Sequence, residues 1–328
     1  MWKLKTGGEG KELRIVFVET LQEIMKDNPM ILALEADLGG ASGFTKIKKT
    51  NPEQFIQMGI SEANMIGTAA GLSMKGYIPY VHTFAPFTTR RALDQIYLEG
   101  AYAHNTINIY GSDPGVCVGA NGGTHNSFED IAIMRSIPQV TVLAPADETQ
   151  MAWSIREVAR REGVHYIRGN RKKNLNIYAP GSEFELGRGN VVREGHDVII
   201  FSYGELLGVA YRAAQNLERD GISAEVVDMF TLKPFDSELV KCELCGKQLA
   251  VTFENHSIIG GLGSAVAEVM AETASGIPLK RIGANDRFGQ VGTYDYLCKE
   301  FGLTEEHLEE TIKSYMFERT SEVECHII

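Results

Sequence analysis

The stretch Met58-Gly59-Ile60-Ser61-Glu62-Ala63-Asn64-Met65-Ile66-Gly67 decides how this chain is read. A short apolar strand ends at Gly59, an Ala/Gly-rich helical pattern follows at once, and Glu62 falls at the junction. A carboxylate in a first helical turn sits at the positive end of the helix dipole, a contribution of roughly 0.3–1 kcal/mol. Taken alone, Glu62 needs no other role.

Working outward, strands and helices alternate on both sides of that junction. Helical spacing covers 12–27, a buried strand follows over 30–34, and the pattern continues with helix 61–75, strand 78–82, helix 88–103 and strand 106–110. A Gly-rich loop over 111–127 leads to helix 128–136, strand 140–143, helix 147–162 and strand 164–167. Residues 169–190 are basic, then Pro/Gly-rich and aperiodic. A second series has strands at 197–201, 223–228, 248–252 and 279–282, with helices at 204–219, 236–243, 261–274 and 304–317. The expected class is α/β: two domains, each a mostly parallel sheet flanked by helices. The expected boundaries are a first domain over 1–180, a linker over 181–190 and a second domain over 191–328.

Composition narrows the function. With 328 residues, 44% hydrophobic and 23% charged, the chain is globular and long enough for two cores. A net charge of -11 argues against nucleic acid or an anionic membrane as the main partner. No apolar run approaches the roughly 20 residues that span a bilayer, and a cytoplasmic location is expected. Five scattered cysteines fit reduced thiols, and Cys242/Cys245 lack the second pair that a zinc site needs. His326 after Cys325 makes a lipidation signal a poor reading. Gly261-Leu262-Gly263 lies too far beyond its strand for a dinucleotide fingerprint.

Two further segments bear on Glu62: Val81-His82-Thr83-Phe84-Ala85-Pro86-Phe87-Thr88-Thr89-Arg90-Arg91-Ala92-Leu93-Asp94-Gln95-Ile96, and Asn121-Gly122-Gly123-Thr124-His125-Asn126-Ser127-Phe128-Glu129-Asp130. Together with the first stretch they resemble the transketolase family of thiamine diphosphate enzymes, specifically its C-terminal half as found in two-chain transketolases. The resemblance covers nearly the whole chain, with the motifs in family order.

That resemblance implies a set of roles. Glu62 would bond N1' of the cofactor's aminopyrimidine as its proton relay. Phe84 and Phe87 would wall the ring's pocket, with Ile60 and Met65 flanking the glutamate. Asp37 would lie near the thiazolium ring. His125 would contact the sugar oxygens and assist proton transfer, and Arg14 and Arg171 would hold the sugar's terminal phosphate. There are departures. Asn121 replaces an aspartate, Asp113 replaces a histidine, Ala41 replaces a serine although Ser42 is adjacent, and Arg90 stands where single-chain members carry a tyrosine. Cofactor residues match while sugar residues drift, which implies the same ketol transfer on an unusual ketose, such as a sulfonated sugar or a branched one like apulose 4-phosphate.

The family's Gly-Asp-Gly motif and its later Asn, which hold the diphosphate and Mg²⁺, do not occur in this sequence. An N-terminal partner subunit carrying them is therefore implied, sharing the cofactor in an α2β2 heterotetramer. The second domain, with Met229–Asp236 and Asp286-Arg287-Phe288-Gly289, would support the dimer through turns and caps and not touch the cofactor. Two other readings stand beside this one: the beta subunit of a 2-oxo-acid dehydrogenase's decarboxylating component, and a non-catalytic scaffold of the same fold.

Overall fold

The apolar runs Ile31–Glu35, Ile78–Phe84, Ile107–Ser112 and Val164–Gly169 form strands that are almost wholly buried, because helices cover both faces of their sheet. The structure is a computed structural model that describes residues 1–325, with side chains through Glu318. Its larger sheet has seven strands in the order Thr231–Lys233, Thr141–Leu143, Val164–Gly169, Ile107–Ser112, Ile78–Phe84, Ile31–Glu35, Phe55–Gln57. Every pair is parallel except the first, where Thr231–Lys233 runs antiparallel to Thr141–Leu143. A strand from the second half of the chain thus completes the first sheet.

The second sheet is ordered Leu279–Ala284, Leu249–Ser257, Val198–Ser202, Ala224–Asp228, Asn190–Arg193, with only the last strand antiparallel. The α/β class with two mostly parallel sheets is what these sequences adopt. Between the halves, Lys173–Leu175 pairs with Glu9–Glu12, so the basic stretch after Gly169 is partly strand.

The halves share one apolar core, in which Leu34, Met65 and Ile109 belong to the same cluster as Met229, Leu232 and Val266. A buried arginine ties the two halves together: Arg168 Nε donates to Asp130 of its own domain at 2.8 Å, and its Nη2 crosses the seam to donate to the Asn255 carbonyl at 2.6 Å. The Glu254 carboxylate accepts the N–H groups of Leu262 and Gly263 at 2.7 and 2.8 Å. That carboxylate fills the helix start at Gly261-Leu262-Gly263, leaving no phosphate site there.

Two elements depart from expectation. The helix expected over 88–103 is broken into Ala85–Thr88, Leu93–Gln95 and a π-helical turn, Ile96–Tyr102. Both threonine hydroxyls fold back onto the Ala85 carbonyl, Thr88 at 3.0 Å and Thr89 at 2.7 Å, which closes the first turn and lets Arg90 and Arg91 swing towards the site. The long loop over 111–127 contains a 3-10 turn, Val116–Asn121.

Cys117 and Cys298 are buried free thiols, whereas Cys242 and Cys245 are exposed free thiols, and the Cys325 side chain and His326 lie outside the described residues. Among the described residues, no helix is long and apolar enough to cross a membrane.

Candidate active site

Parallel strands that end on one edge bring their following loops together there. At that edge the chain gathers the Asp37 loop after Ile31–Glu35, Glu62 after Phe55–Gln57, Phe84 to Arg91 after Ile78–Phe84, Asp113 to His125 after Ile107–Ser112, and Arg171 after Val164–Gly169. Gly59, at φ +69°, makes the turn that delivers Glu62 to the start of the helix Glu62–Ser73.

Glu62 is 3% exposed, and its Oε1 accepts from Arg91 Nη1 at 2.5 Å. The Arg91 guanidinium lies 4.1 Å from the centre of the Phe87 ring. Phe87 and Phe84 are 6.1 Å apart, and His125 stands edge-on to both, at 5.2 Å from Phe87 and 6.0 Å from Phe84. Partial burial, reinforced by Arg91, lowers the His125 pKa, so its imidazole is neutral at pH 7. Thr124 Oγ1 lies 2.8 Å from His125 Nδ1.

On the other flank, Arg171 lies 5.3 Å over the Phe84 ring and is held by the buried Asp113, whose two oxygens accept from the Arg171 backbone N–H and Nε. Arg14 donates to the Ala41 carbonyl and pairs with Glu12, both at 2.6 Å, and its charge reaches Asp113. Asp37 is exposed and held in the left-handed region at φ +59°.

Three expected residues are placed differently. Met65 has no exposed surface and packs in the shared core behind Glu62, not against an open pocket. Ser42 is buried, with its hydroxyl accepting the Phe44 N–H, so it serves a turn. Asp113 is buried beneath Arg171, where it positions that arginine and has little surface for a sugar. Ile60 is 75% exposed at the rim, and Asn121 is exposed at the end of its 3-10 turn.

The family described as "Transketolase, pyrimidine binding domain" matches residues 9–175, and "Transketolase, C-terminal domain" matches residues 187–308. The chain belongs to the transketolase family. It is 44% identical over 292 residues to the 6-deoxy-6-sulfo-D-fructose transketolase subunit SqwH of Clostridium sp. (strain MSTE9), covering 89% of this chain and 90% of that one. It is 32% identical to a subunit of the apulose-4-phosphate transketolase of Phocaeicola vulgatus, covering 92% and 96%. A solved structure of a split gene transketolase, an inactive beta4 tetramer, superimposes with a TM-score of 0.84 at 38% identity, covering 93% of this chain and 98% of that one.

Three further residues belong to this transketolase-family site, none of them given a role by the sequence motifs. Arg91 bonds Glu62, and Glu129 pairs with Arg90 at 2.8 Å beside the His125 loop. Glu35 is buried beneath Asp37, where Gln57 Nε2 and the Leu38 N–H bond it, and burial raises its pKa. Arg91 and Glu129 stood inside the quoted motifs, but their contacts bridge separate loops and leave no local signal. His82 is also buried behind the site, stacked on Phe44 and bonded to Ser112 Oγ at 3.0 Å; its pKa is depressed to about 3 by burial and by Arg171.

Proposed function

We propose that this chain is the C-terminal subunit of a two-chain transketolase, transferring a two-carbon ketol unit from an anionic ketose to an aldose. The observation that carries the proposal is the Glu62 carboxyl, buried at a helix start and opening onto the pair Phe84 and Phe87 with His125 beside it. The donor set suits the pyrimidine half of thiamine diphosphate: a flat aromatic wall with one carboxyl at its edge.

When bound, that cofactor supplies an electron sink for the carbon–carbon bond that breaks. Phe84 and Phe87 would hold its ring and exclude water, and Glu62 would hold and pass a proton at N1'. Asp37 would favour the neighbouring positive charge. The neutral imidazole of His125 would exchange a proton with the sugar's hydroxyl or carbonyl oxygens. Arg171, oriented by Asp113, and Arg14 would bind the ketose's far end.

A separate N-terminal subunit would grip the diphosphate and Mg²⁺, giving an α2β2 assembly in the cytoplasm. Large apolar groups exposed near the site, Ile60 at 75% and Phe288 at 94%, support a covering chain. The names of the relatives, a sulfofructose and an apulose phosphate transketolase subunit, support a ketose with an acidic terminus.

The decisive experiment reconstitutes the chain with its partner and compares it with Glu62→Gln. Ketol transfer should fall by ~10²-fold or more while the thermal transition stays in place. Undiminished transfer by the variant would remove Glu62 from the mechanism.

A further inference from the structure

The anion-binding flank of the site holds an acid among its cations. Asp113 follows the strand Ile107–Ser112 in the left-handed region at φ +54° and is 1% exposed. Its Oδ1 accepts the Arg171 backbone N–H at 3.2 Å and its Oδ2 accepts Arg171 Nε at 2.9 Å. Burial raises its pKa, and the charges of Arg171 and Arg14 oppose that rise. The ion pair with Arg171 Nε favours the charged carboxylate, and it leaves the terminal nitrogens of Arg171 free to meet a ligand.

Charge balance on this flank is tight. Arg171 is matched by Asp113, and Arg14 is matched by Glu12. Tyr110 and Cys117 also face Asp113, and burial keeps both neutral. Glu205 lies behind Cys117 at 3.5 Å and adds negative potential. Lys172 rests 5.1 Å over the Tyr294 ring and has no carboxylate in ion-pair reach among the described residues. Arg171 and Lys172 line one cavity of about 440 Å³, whose far wall is the second-domain segment from Val291 to Tyr294. With Arg171 already neutralised, Lys172 is the cation left over for a ligand.

We propose that Asp113 is a specificity-determining residue, setting this flank to accept a singly charged terminal group of the sulfonate class over a doubly charged phosphate. The proposal rests on the transferase reading of the same site. A phosphate monoester gains its second charge with a pKa of about 6, whereas a sulfonate keeps one charge throughout. The second charge meets a fixed carboxylate through a shared guanidinium, and discrimination comes from that repulsion as much as from any attraction.

The test uses the complex of this chain with its diphosphate-binding partner. The probes are 6-deoxy-6-sulfo-D-fructose and D-fructose 6-phosphate, compared in kcat/KM and in calorimetric Kd from about pH 5.5 to about pH 7.5. The sulfonate should be favoured by about tenfold or more at the upper pH, with the gap narrowing as the phosphate becomes a monoanion. The ratio of the two sugars cancels the titration of His125, which both share. Asp113→Asn, a residue that tolerates the left-handed backbone, should close the gap at high pH.

A phosphate bound as well as the sulfonate at every pH overturns the inference using the native protein alone, whatever the variant's folding. A pH-independent preference overturns it too. If neither sugar is turned over but the pH-dependent binding preference holds, the transferase reading fails and the charge inference survives.

Discussion

The Arg91 guanidinium makes two contacts at once, bonding Glu62 Oε1 at 2.5 Å and lying 4.1 Å from the centre of the Phe87 ring. Glu62 is buried, whereas the Arg91 side chain is nearly half exposed. Removing Arg91 therefore strips a buried carboxylate of its cation, and Arg91→Met should lower the stability of the free chain by about 1–3 kcal/mol. Adding Glu62→Gln to that variant should restore most of the loss, since no charge is then stranded. Denaturant unfolding of the wild type, both single variants and the double variant measures the coupling. Additive losses would mean that the pair contributes nothing.

His125 feels the same arginine. Burial lowers its pKa first and the Arg91 charge lowers it further. The imidazole therefore stays neutral to lower pH than a free histidine. Arg91→Met should move the His125 titration upward, seen in the imidazole proton shifts by NMR. In the reconstituted complex, His125→Asn should cut kcat/KM by ~10²-fold and flatten the acid limb of its pH profile. An unchanged acid limb would assign that proton to another group.

Elements with local signals were legible in the sequence. The buried runs Ile31–Glu35, Ile107–Ser112 and Val198–Ser202 lie within a residue or two of their expected places, because apolar runs bounded by turn residues specify strands locally. Motif order also brought Glu62, Phe84, Phe87 and His125 to one edge. Other features depend on partners distant in sequence. The strand Thr231–Lys233 joins the other domain's sheet, whereas the helix after Phe84 breaks on local bonds, three and four residues back to Ala85, that helical periodicity does not reveal. Met65 looked like a pocket residue because it follows Glu62, but one helical turn carries it into the core.

Buried carboxyls, Asp228 and Glu254 among them, make stability depend on pH. Burial pushes Asp228 and Glu254 up to about 7 each. Unfolded carboxyls titrate at about 4, so between about 4 and about 7 the folded chain binds protons that the unfolded chain has released. Stability conferred by these groups is full below that window and falls as pH rises through it. Asp228 Oδ2 accepts from Tyr178 at 2.5 Å and Gln150 at 2.8 Å, bonds that an asparagine oxygen can keep. Asp228→Asn should therefore flatten the decline in stability between pH 5 and pH 8, measured by urea unfolding at each end. An identical decline in the variant would place the titration elsewhere.

The second domain reaches the site loop through backbone. A Cβ on Gly123 would stand 2.4 Å from the Gly289 carbonyl oxygen, and one on Gly122 would meet the Val291 side chain at 2.7 Å. The segment Asp286-Arg287-Phe288-Gly289, expected as a structural turn, therefore packs directly on the loop that presents His125. Backbone cannot yield as a flexible side chain does, so Gly123→Ala should push the loop off the second domain. A loss of about 1–3 kcal/mol of stability is expected, the usual scale of overpacking. Because His125 rides on that loop and its N–H bonds the Gly122 carbonyl at 2.9 Å, catalysis should suffer more than folding. Assaying Gly123→Ala at a temperature where it remains folded separates the two effects. Transfer at the wild-type rate would show that the second domain braces the loop without fixing where His125 stands.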